Sequence, residues 1–294
     1  MAALRDLLEL VRAPAALSVP GDVVAGGAAA GVLGGRTPAL ACASICLYWA
    51  GMAANDWADR HLDAVERPER PIPSGRVSPE LALATAAGLT GAGLAAAGLA
   101  AGRRGLAVAV PLALAVWTYD LLAKDTPAGP TVMAACRALD VLLGASAGAA
   151  PFPRPFIGAV PSALTVAAHT YMITSLSRHE VSGAECLVPA ATLAGTAALA
   201  VRVVTTAPGR GAGRGAVVRA ALASWYLARF GAAQARAVAE PSAPRIRDAV
   251  GTGITALPAL QGALTVHAGA VPTGLAVALA APLGRRLARK VSPT

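Results

Sequence analysis

Residues 38–63 read PALACASICLYWAGMAANDWADRHLD. The first part, 38–54, is an uncharged apolar run, and it passes without a linker into a polar segment that starts at Asn55. A helix needs about 20 predominantly apolar residues to cross a bilayer, and runs of this kind recur along the chain, separated by short segments that hold most of the charge. Hydrophobic residues make up 55% of the sequence, charged residues 14%, and the mean hydropathy is +0.57. A soluble domain carries about 25% charged residues, so this chain could not cover an ordinary water-facing surface. The reading is an all-α, polytopic membrane helical bundle.

Working outward from 38–54, residues 1–13 read as a short amphipathic helix at the surface, with Arg5, Asp6, Glu9 and Arg12 and no cleavage pattern of a signal peptide. Further spans are expected at 14–34, 81–101, 105–122, 131–149, 156–176, 186–206 and 215–237, with polar segments at 55–80 and 177–185. Gly102-Arg103-Arg104-Gly105 is read as the tight turn between two spans. The last apolar stretch, 249–284, is long for one span and short for two, with Gly269 and Val271-Pro272 near its middle, so nine and ten spans are both tenable. Ala and Gly dominate the spans. Small residues let helices approach closely in lipid, and a GC-rich coding bias would give the same composition.

The net charge of +9 has no accompanying nucleic-acid motif. Basic residues sit at helix ends instead, as positive-inside topology requires. One side receives Arg5, Arg12, Arg60, Arg67, Arg70, Arg76, Lys124, Arg178, Arg236, Arg245 and Arg247; the other receives Arg36, Arg103, Arg104, Arg154, Arg210 and Arg214. The excess places the N-terminus, 55–80 and 177–185 in the cytoplasm. Arg285, Arg286, Arg289 and Lys290 join that side only if the tail has two spans, which favours ten. Cys42, Cys46, Cys136 and Cys186 lie in or beside apolar runs and read as small packing residues.

The chemistry is concentrated after residue 54. Asp56, Asp59 and Asp63 stand at i, i+3 and i+7, which puts three carboxylates on one helical face. Such acids repel unless something positive sits among them. Magnesium suits, because it takes oxygen ligands and is held by a few carboxylates plus substrate phosphates. A solvated loop with its acids paired to Arg60, Arg67 and Arg70 is the plainer alternative. The motif continues Glu66-Arg67-Pro68-Glu69-Arg70-Pro71-Ile72-Pro73-Ser74-Gly75-Arg76.

Asn-Asp-x-x-Asp-x-x-x-Asp followed by Arg-Pro-x-Arg-Pro-Ile-Pro-Ser-Gly resembles the first signature of the UbiA superfamily of intramembrane prenyltransferases. Arg12-Ala13-Pro14 stands where members often have Arg-Pro. The resemblance implies a single domain over 1–294, a helical bundle around a central cavity, and two cytoplasmic active-site loops at 55–80 and 177–185. It implies that Asn55, Asp56, Asp59 and Asp63 form a metal–diphosphate site with Mg2+, and that Arg67, Arg70 and Arg76 neutralise phosphate or order the loop. A planar guanidinium can bond two phosphate oxygens at once.

The sequence departs from that pattern twice. In the second polar segment, Ser177-Arg178-His179-Glu180-Val181-Ser182-Gly183-Ala184-Glu185 has no aspartate, so Glu180 (and Glu185) would have to serve a second metal while Arg178 meets phosphate. The alternative is an Arg178–Glu180 pair at a helix end. The family's Tyr-x-x-x-Lys becomes Tyr119-Asp120-Leu121-Leu122-Ala123-Lys124, with one extra residue. Lys124 either reaches phosphate or pairs with Asp120. Arg137 and Asp140 form an intramembrane pair expected to line the cavity or to neutralise itself. Asp22, beside Pro20, is an acceptor-side candidate; His61 and His169 are read as structural more readily than catalytic. Trp117, Tyr119 and Tyr171 would either stabilise a cation or anchor the interface. Arg219, Arg229 and Arg236 are candidates for lipid headgroups or another span. The second polar segment, with Cys136-Arg137-x-x-Asp140-x-Leu142-Leu143-Gly144-Ala145-Ser146, is similar to the EboC-type branch of the superfamily.

The expected activity is Mg2+-dependent transfer from an isoprenyl diphosphate to a small lipophilic or aromatic acceptor. A terpene cyclase on the same fold is the nearest alternative. A transport or lipid-binding scaffold without chemistry is the other, though no inverted repeat supports it.

Overall fold

The structure is a computed structural model that describes residues 4–12, 18–148, 153–206 and 214–279. Its described elements are helical: α1 Leu4–Leu10, α2 Pro20–Ala29, α3 Thr37–Ala58, α4 Arg60–Glu66, α5 Pro79–Thr118, α6 Gly129–Ala145, α7 Arg154–Ser177, α8 Leu187–Thr205, α9 Arg214–Tyr226, α10 Ala232–Ala239 and α11 Ala243–His267. Five of the described helical segments are long and apolar enough to cross a membrane by length and composition. Proline in the first turn starts α2, α3, α5, α6, α7 and α11, where its missing N–H is no loss.

α5 is two helices in one. Gly102 has φ 60° and ψ −143°, a conformation outside any helix. The Trp117 indole N–H donates to Thr90 Oγ1 at 3.0 Å, which two residues 27 apart on a straight helix, about 40 Å apart at 1.5 Å per residue, could never do. The chain therefore reverses at the expected Gly102–Gly105 turn. A second reversal follows α11: Gly269 has φ 95°, and a Cβ at Gly262 would lie 2.6 Å from the Gly274 carbonyl oxygen. The stretch 249–284 is thus divided into α11 and a helix from 271 that packs back upon it; its course beyond 279 lies outside the described residues. So do Ala13, Pro14, Arg210, Arg285, Arg286, Arg289 and Lys290.

α3 packs on α5, successive helices are neighbours from α5 through α9, and α11 returns to α2 to close the bundle. α2 packs against α3, α6, α7 and α11, so it ties the first half to the second. Where α2 meets α6 the backbones touch. A Cβ at Gly26 would sit 1.7 Å from the Val141 carbonyl oxygen, and one at Gly144 would sit 1.9 Å from that of Val23. Large apolar side chains, among them Leu99, Leu114, Ile157 and Leu187, are left exposed on the outside of the packing.

The polar segment after residue 54 is more helical than its composition suggests. α3 runs on to Ala58, so Asn55 and Asp56 ride on its last turn, and α4 follows after a break at Asp59. Only from Arg67 onward does the chain become turns.

Candidate active site

The break at Asp59 is slight. Asp59 N–H donates to the Asn55 carbonyl at 2.9 Å and Asp63 N–H to the Asp59 carbonyl at 2.8 Å, so the i to i+4 rhythm passes through it. The three acids consequently keep a common side, and each is met by a cation from a different part of the chain. Arg12 Nη2 lies 2.7 Å from Asp56 Oδ1. Arg70 Nη1 lies 2.5 Å from Asp63 Oδ2 and 3.5 Å from Asp56 Oδ1. Lys124 forms an ion pair with Asp59. Asp56 and Asp63 are buried, and buried carboxylates are tolerated only when paired. Arg12 reaches Asp56 from a residue at φ 45°, a left-handed backbone that costs an L-residue about 1–2 kcal/mol. Strain of this kind collects at functional sites.

Of the three loop arginines, only Arg70 joins the acids. Arg76 is committed elsewhere: it donates to Asp6 at 2.8 Å, to both Glu9 oxygens at 2.7 and 2.9 Å, and to the Glu69 carbonyl at 2.7 Å. It therefore orders the loop by fastening α1 to it. The Arg76 guanidinium in turn holds the Glu9 carboxyl below the usual carboxylate range. Arg67 is exposed, and among the described residues its side chain forms no hydrogen bond or ion pair.

The extra residue between Tyr119 and Lys124 is absorbed by a π turn over Tyr119–Ala123, closed by Lys124 N–H donating to the Tyr119 carbonyl at 2.9 Å. In a π turn residue i+5 stands roughly where i+4 would stand in an α-helix. Lys124 thereby reaches the first motif despite the altered spacing. Beside it lies a cavity of about 240 Å³ lined by Arg12, Tyr48, Met52, Asn55, Val116, Tyr119, Asp120, Met133 and Cys136. Asn55 faces inward here and its side chain hydrogen-bonds Asp120.

The second polar segment is held differently. Arg178 donates to the Thr126 carbonyl and Arg247 Nη1 to the Glu180 carbonyl at 2.9 Å. Arg178 and Glu180 do not pair with each other. Partial burial raises the Glu180 carboxyl above its usual range. The Thr126 contact places this segment against the loop that carries Lys124.

Arg137 and Asp140 are buried behind the cavity wall. Arg137 Nε lies 2.8 Å from Asp22 Oδ2, its guanidinium 5.6 Å from the Tyr48 ring centre, while Asp140 accepts from Ser44 at 2.5 Å. Asp22 also accepts from Gln261 Nε2 at 2.6 Å. His169 is fully buried with Nδ1 2.8 Å from the Tyr226 hydroxyl, as a structural histidine. Trp117 holds Thr90, Tyr171 is exposed, Arg229 is exposed, Arg236 pairs with Asp248 at 3.0 Å, and Arg219 caps α8 through the Val204 and Thr206 carbonyls.

Among the described residues no three His, Cys, Asp or Glu side chains converge to hold an ion unaided. Mg2+ is ordinarily bound by one or two carboxylates plus phosphate oxygens and water. Asp56 and Asp63 both reach a single nitrogen of Arg70, so two hard oxygen donors already converge on one positive centre, and the site fits such an ion shared with a diphosphate.

Arg12 as a partner of Asp56, and Tyr48, Met52, Met133 and Cys136 as cavity wall, were not legible as site residues. A signal was present: Tyr48, Met52 and Asn55 fall at i, i+4 and i+7 on α3, and Val116 on α5 and Asp120 in the π turn that follows it stand at i and i+4. Helical periodicity drawn backward from Asn55 finds the first set.

Comparison with known proteins accords with this geometry. The model of the UbiA prenyltransferase family matches residues 19–233. The chain is 36% identical over 158 residues to digeranylgeranylglyceryl phosphate synthase of Methanopyrus kandleri, covering 51% of this chain and 56% of that one. It is 35% identical over 125 residues to the bacteriochlorophyll synthase 33 kDa chain of Cereibacter sphaeroides, covering 41% of each. The chain thus spans about half the length of the curated relatives it matches. A UbiA homolog from Archaeoglobus fulgidus bound to GPP and Mg2+ has the same fold, with TM-score 0.58 and 15% identity over 93% of this chain and 99% of that one. With its apolar helices and its acid-and-arginine motif at one end of a cavity, the chain is an integral membrane protein that belongs to the UbiA prenyltransferase family.

Proposed function

We propose that this chain transfers an isoprenyl group from an isoprenyl diphosphate to a small lipophilic or aromatic acceptor, with Mg2+ at the first acidic motif and the polar loops on the cytoplasmic side. The observation that carries the reading is the matching of Asp56, Asp59 and Asp63 by Arg12, Arg70 and Lys124 beside a cavity. The cations that balance these acids are placed to meet the oxygens of a diphosphate, and the acids to face its metal. Bound there, Mg2+ would neutralise the charge that develops on the leaving diphosphate. Arg12, Arg70 and Lys124 add fixed positive charge at the same place. Arg67, exposed, is available to the outer phosphate. The apolar cavity wall keeps water from the allylic cation. Glu180 is the acid available for a second ion. The relatives named above, two synthases and a homolog holding GPP with Mg2+, agree with this chemistry.

The test uses purified protein with geranyl diphosphate and Mg2+, reading released diphosphate and product mass across a panel of acceptors. Acceptor-dependent release that Asp56→Ala and Asp59→Ala abolish is the expected result. Release surviving both substitutions would remove the site, and a cyclic product formed without acceptor would replace transfer by cyclisation.

A further inference from the structure

The two ends of the bundle differ in charge. Of the 16 carboxylates in the chain, Asp22 and Asp140 are buried within the bundle, and the others belong to the end that carries the acidic motif. The connections at the opposite end, 30–36, 101–105, 146–153, 206–213 and 268–271, contain no aspartate or glutamate. Among the described residues that end carries Arg36, Arg103, Arg104, Arg154 and Arg202, and none of these forms an ion pair.

Two of these arginines have a structural duty. Arg36 Nη1 donates to the Ala147 carbonyl at 3.1 Å and Arg104 Nη1 to the Gly148 carbonyl at 2.5 Å. Both carbonyls lie just past the end of α6, where a cation suits the negative end of the helix dipole. α7 begins beside them, since a Cβ at Gly148 would lie 3.0 Å from Pro155 Cγ, next to Arg154. Arg103 and Arg154 are exposed, and among the described residues their side chains make no hydrogen bond, so capping does not account for them. Four guanidinium groups are thus gathered around one helix end with no carboxylate among them. Like charges so placed repel, and an anion held among them removes that cost.

Below the arginines the surface is apolar. On the second leg of α5, Leu106, Val110 and Leu114 follow Arg103 at i+3, i+7 and i+11; on α7, Ile157 and Leu164 follow Arg154 at i+3 and i+10. All five are exposed, and the spacings keep each set on one helical face. Each unpartnered arginine therefore heads an aliphatic stripe that runs toward the middle of the bilayer. α6 packs against both α5 and α7, so the stripes belong to neighbouring parts of the surface. Two such stripes headed by cations match two acyl chains joined to one phosphate. Basic pockets between membrane helices hold anionic headgroups, and a guanidinium fork can bond two phosphate oxygens. We propose that the end of the bundle opposite the acidic motif binds an anionic diacyl phospholipid, with its phosphate at Arg103, Arg104 and Arg154 and its chains along α5 and α7. This site is separate from the metal–diphosphate centre and does not rest on the prenyl-transfer reading.

The experiment uses the full chain in neutral detergent, with affinities for dioleoylphosphatidylglycerol and dioleoylphosphatidylcholine read by native mass spectrometry. The anionic lipid should bind about tenfold more tightly or better. Arg103→Gln combined with Arg154→Gln should weaken its binding by about 30-fold, the change expected of two arginines at an anionic lipid surface. An unchanged Tm in phosphatidylcholine checks that this variant is folded; should it not be, each single substitution serves instead, with a loss of about fivefold. Arg202→Gln, at the same end but on α8, should change the affinity by less than about twofold. Equal affinity for the two lipids, an unchanged affinity in the double variant, or an equal loss in Arg202→Gln would overturn the proposal. Displacement of the lipid by equimolar glycerol phosphate would reveal a site for free anions and overturn the lipid assignment.

Discussion

The cations around the two polar loops of this protein have different partners. At the first, Arg12 from beyond α1, the loop's own Arg70, and Lys124 end on carboxylates, while Arg60 ends on the Trp57 carbonyl. At the second, Arg178 ends on the Thr126 carbonyl and Arg247, from α11, on that of Glu180. A cation on a carboxylate is a pair of charges that a metal and a phosphate can separate and share. A cation on a backbone carbonyl fixes the path of the chain, and nothing is gained by exchanging it. On the proposed reading the cations of the first loop would change partners when a diphosphate binds, whereas those of the second fix the path of the chain.

This contrast can be broken experimentally. The largest expected effect is in Asp56→Asn, whose diphosphate release should fall by about 10²–10³-fold or more, as when one electrostatic element of an anion-stabilising site is removed. Lys124→Met should cost less, about 10²-fold, and should raise the Mg2+ concentration needed for half-maximal rate, since Asp59 then lacks its resident cation. Glu180→Gln should cost about tenfold or less in the same assay; a loss equal to that of Asp56→Asn would erase the distinction between the loops. Outside the loops, Gly102→Ala should lower stability by about 1–3 kcal/mol, the penalty for a side chain in a backbone region used by glycine, read as a lower Tm in detergent. Nothing lies within 4 Å of a Cβ there, so backbone strain alone would account for it.

The smallest effect separates the loops by pH. The Glu9 carboxyl is held below its ordinary 4.5 by Arg76, so the stability it contributes is complete above that value and is lost as pH falls through the depressed one. Glu180 is shifted upward by burial. The folded state then holds a proton that the unfolded chain releases, and stability declines as pH rises through that window. Glu9→Gln should lower Tm at neutral pH by an amount that shrinks in acid, under about 1 kcal/mol for so exposed a pair. Glu180→Gln should raise Tm slightly at neutral pH and converge on the parent in acid. Shifts of the same sign in both would contradict the different settings of the two acids.

Much of the fold was legible from composition and apolar run length, because a bilayer imposes one length scale on every span. The hairpin at Gly102 was visible for the same reason: a run of 40 residues in α5 is twice what a membrane needs. The site was legible where charge spacing coincides with helix geometry, as at Asp56, Asp59 and Asp63. It was not legible where partners come from distant segments. Nothing local to Arg12 states that it will meet Asp56, 44 residues on, and nothing in Asp120-Leu121-Leu122-Ala123-Lys124 announces a π turn. Spacing alone left Lys124 between a phosphate and Asp120; the wider turn aims it at Asp59. Arg137 and Asp140, one helical turn apart, read as a pair, yet α2 and α3 supply nearer partners in Asp22 and Ser44.

The glycine seam between α2 and α6 has a mechanical consequence. Side chains between two helices act as bearings, letting one slide or roll against the other as rotamers change. At Gly26 and Gly144 there are no bearings, only peptide planes in contact, so the α2–α6 seam has no rotamers through which to slide. On the proposed reading, widening the cavity for a prenyl chain would fall to helices joined through their side chains.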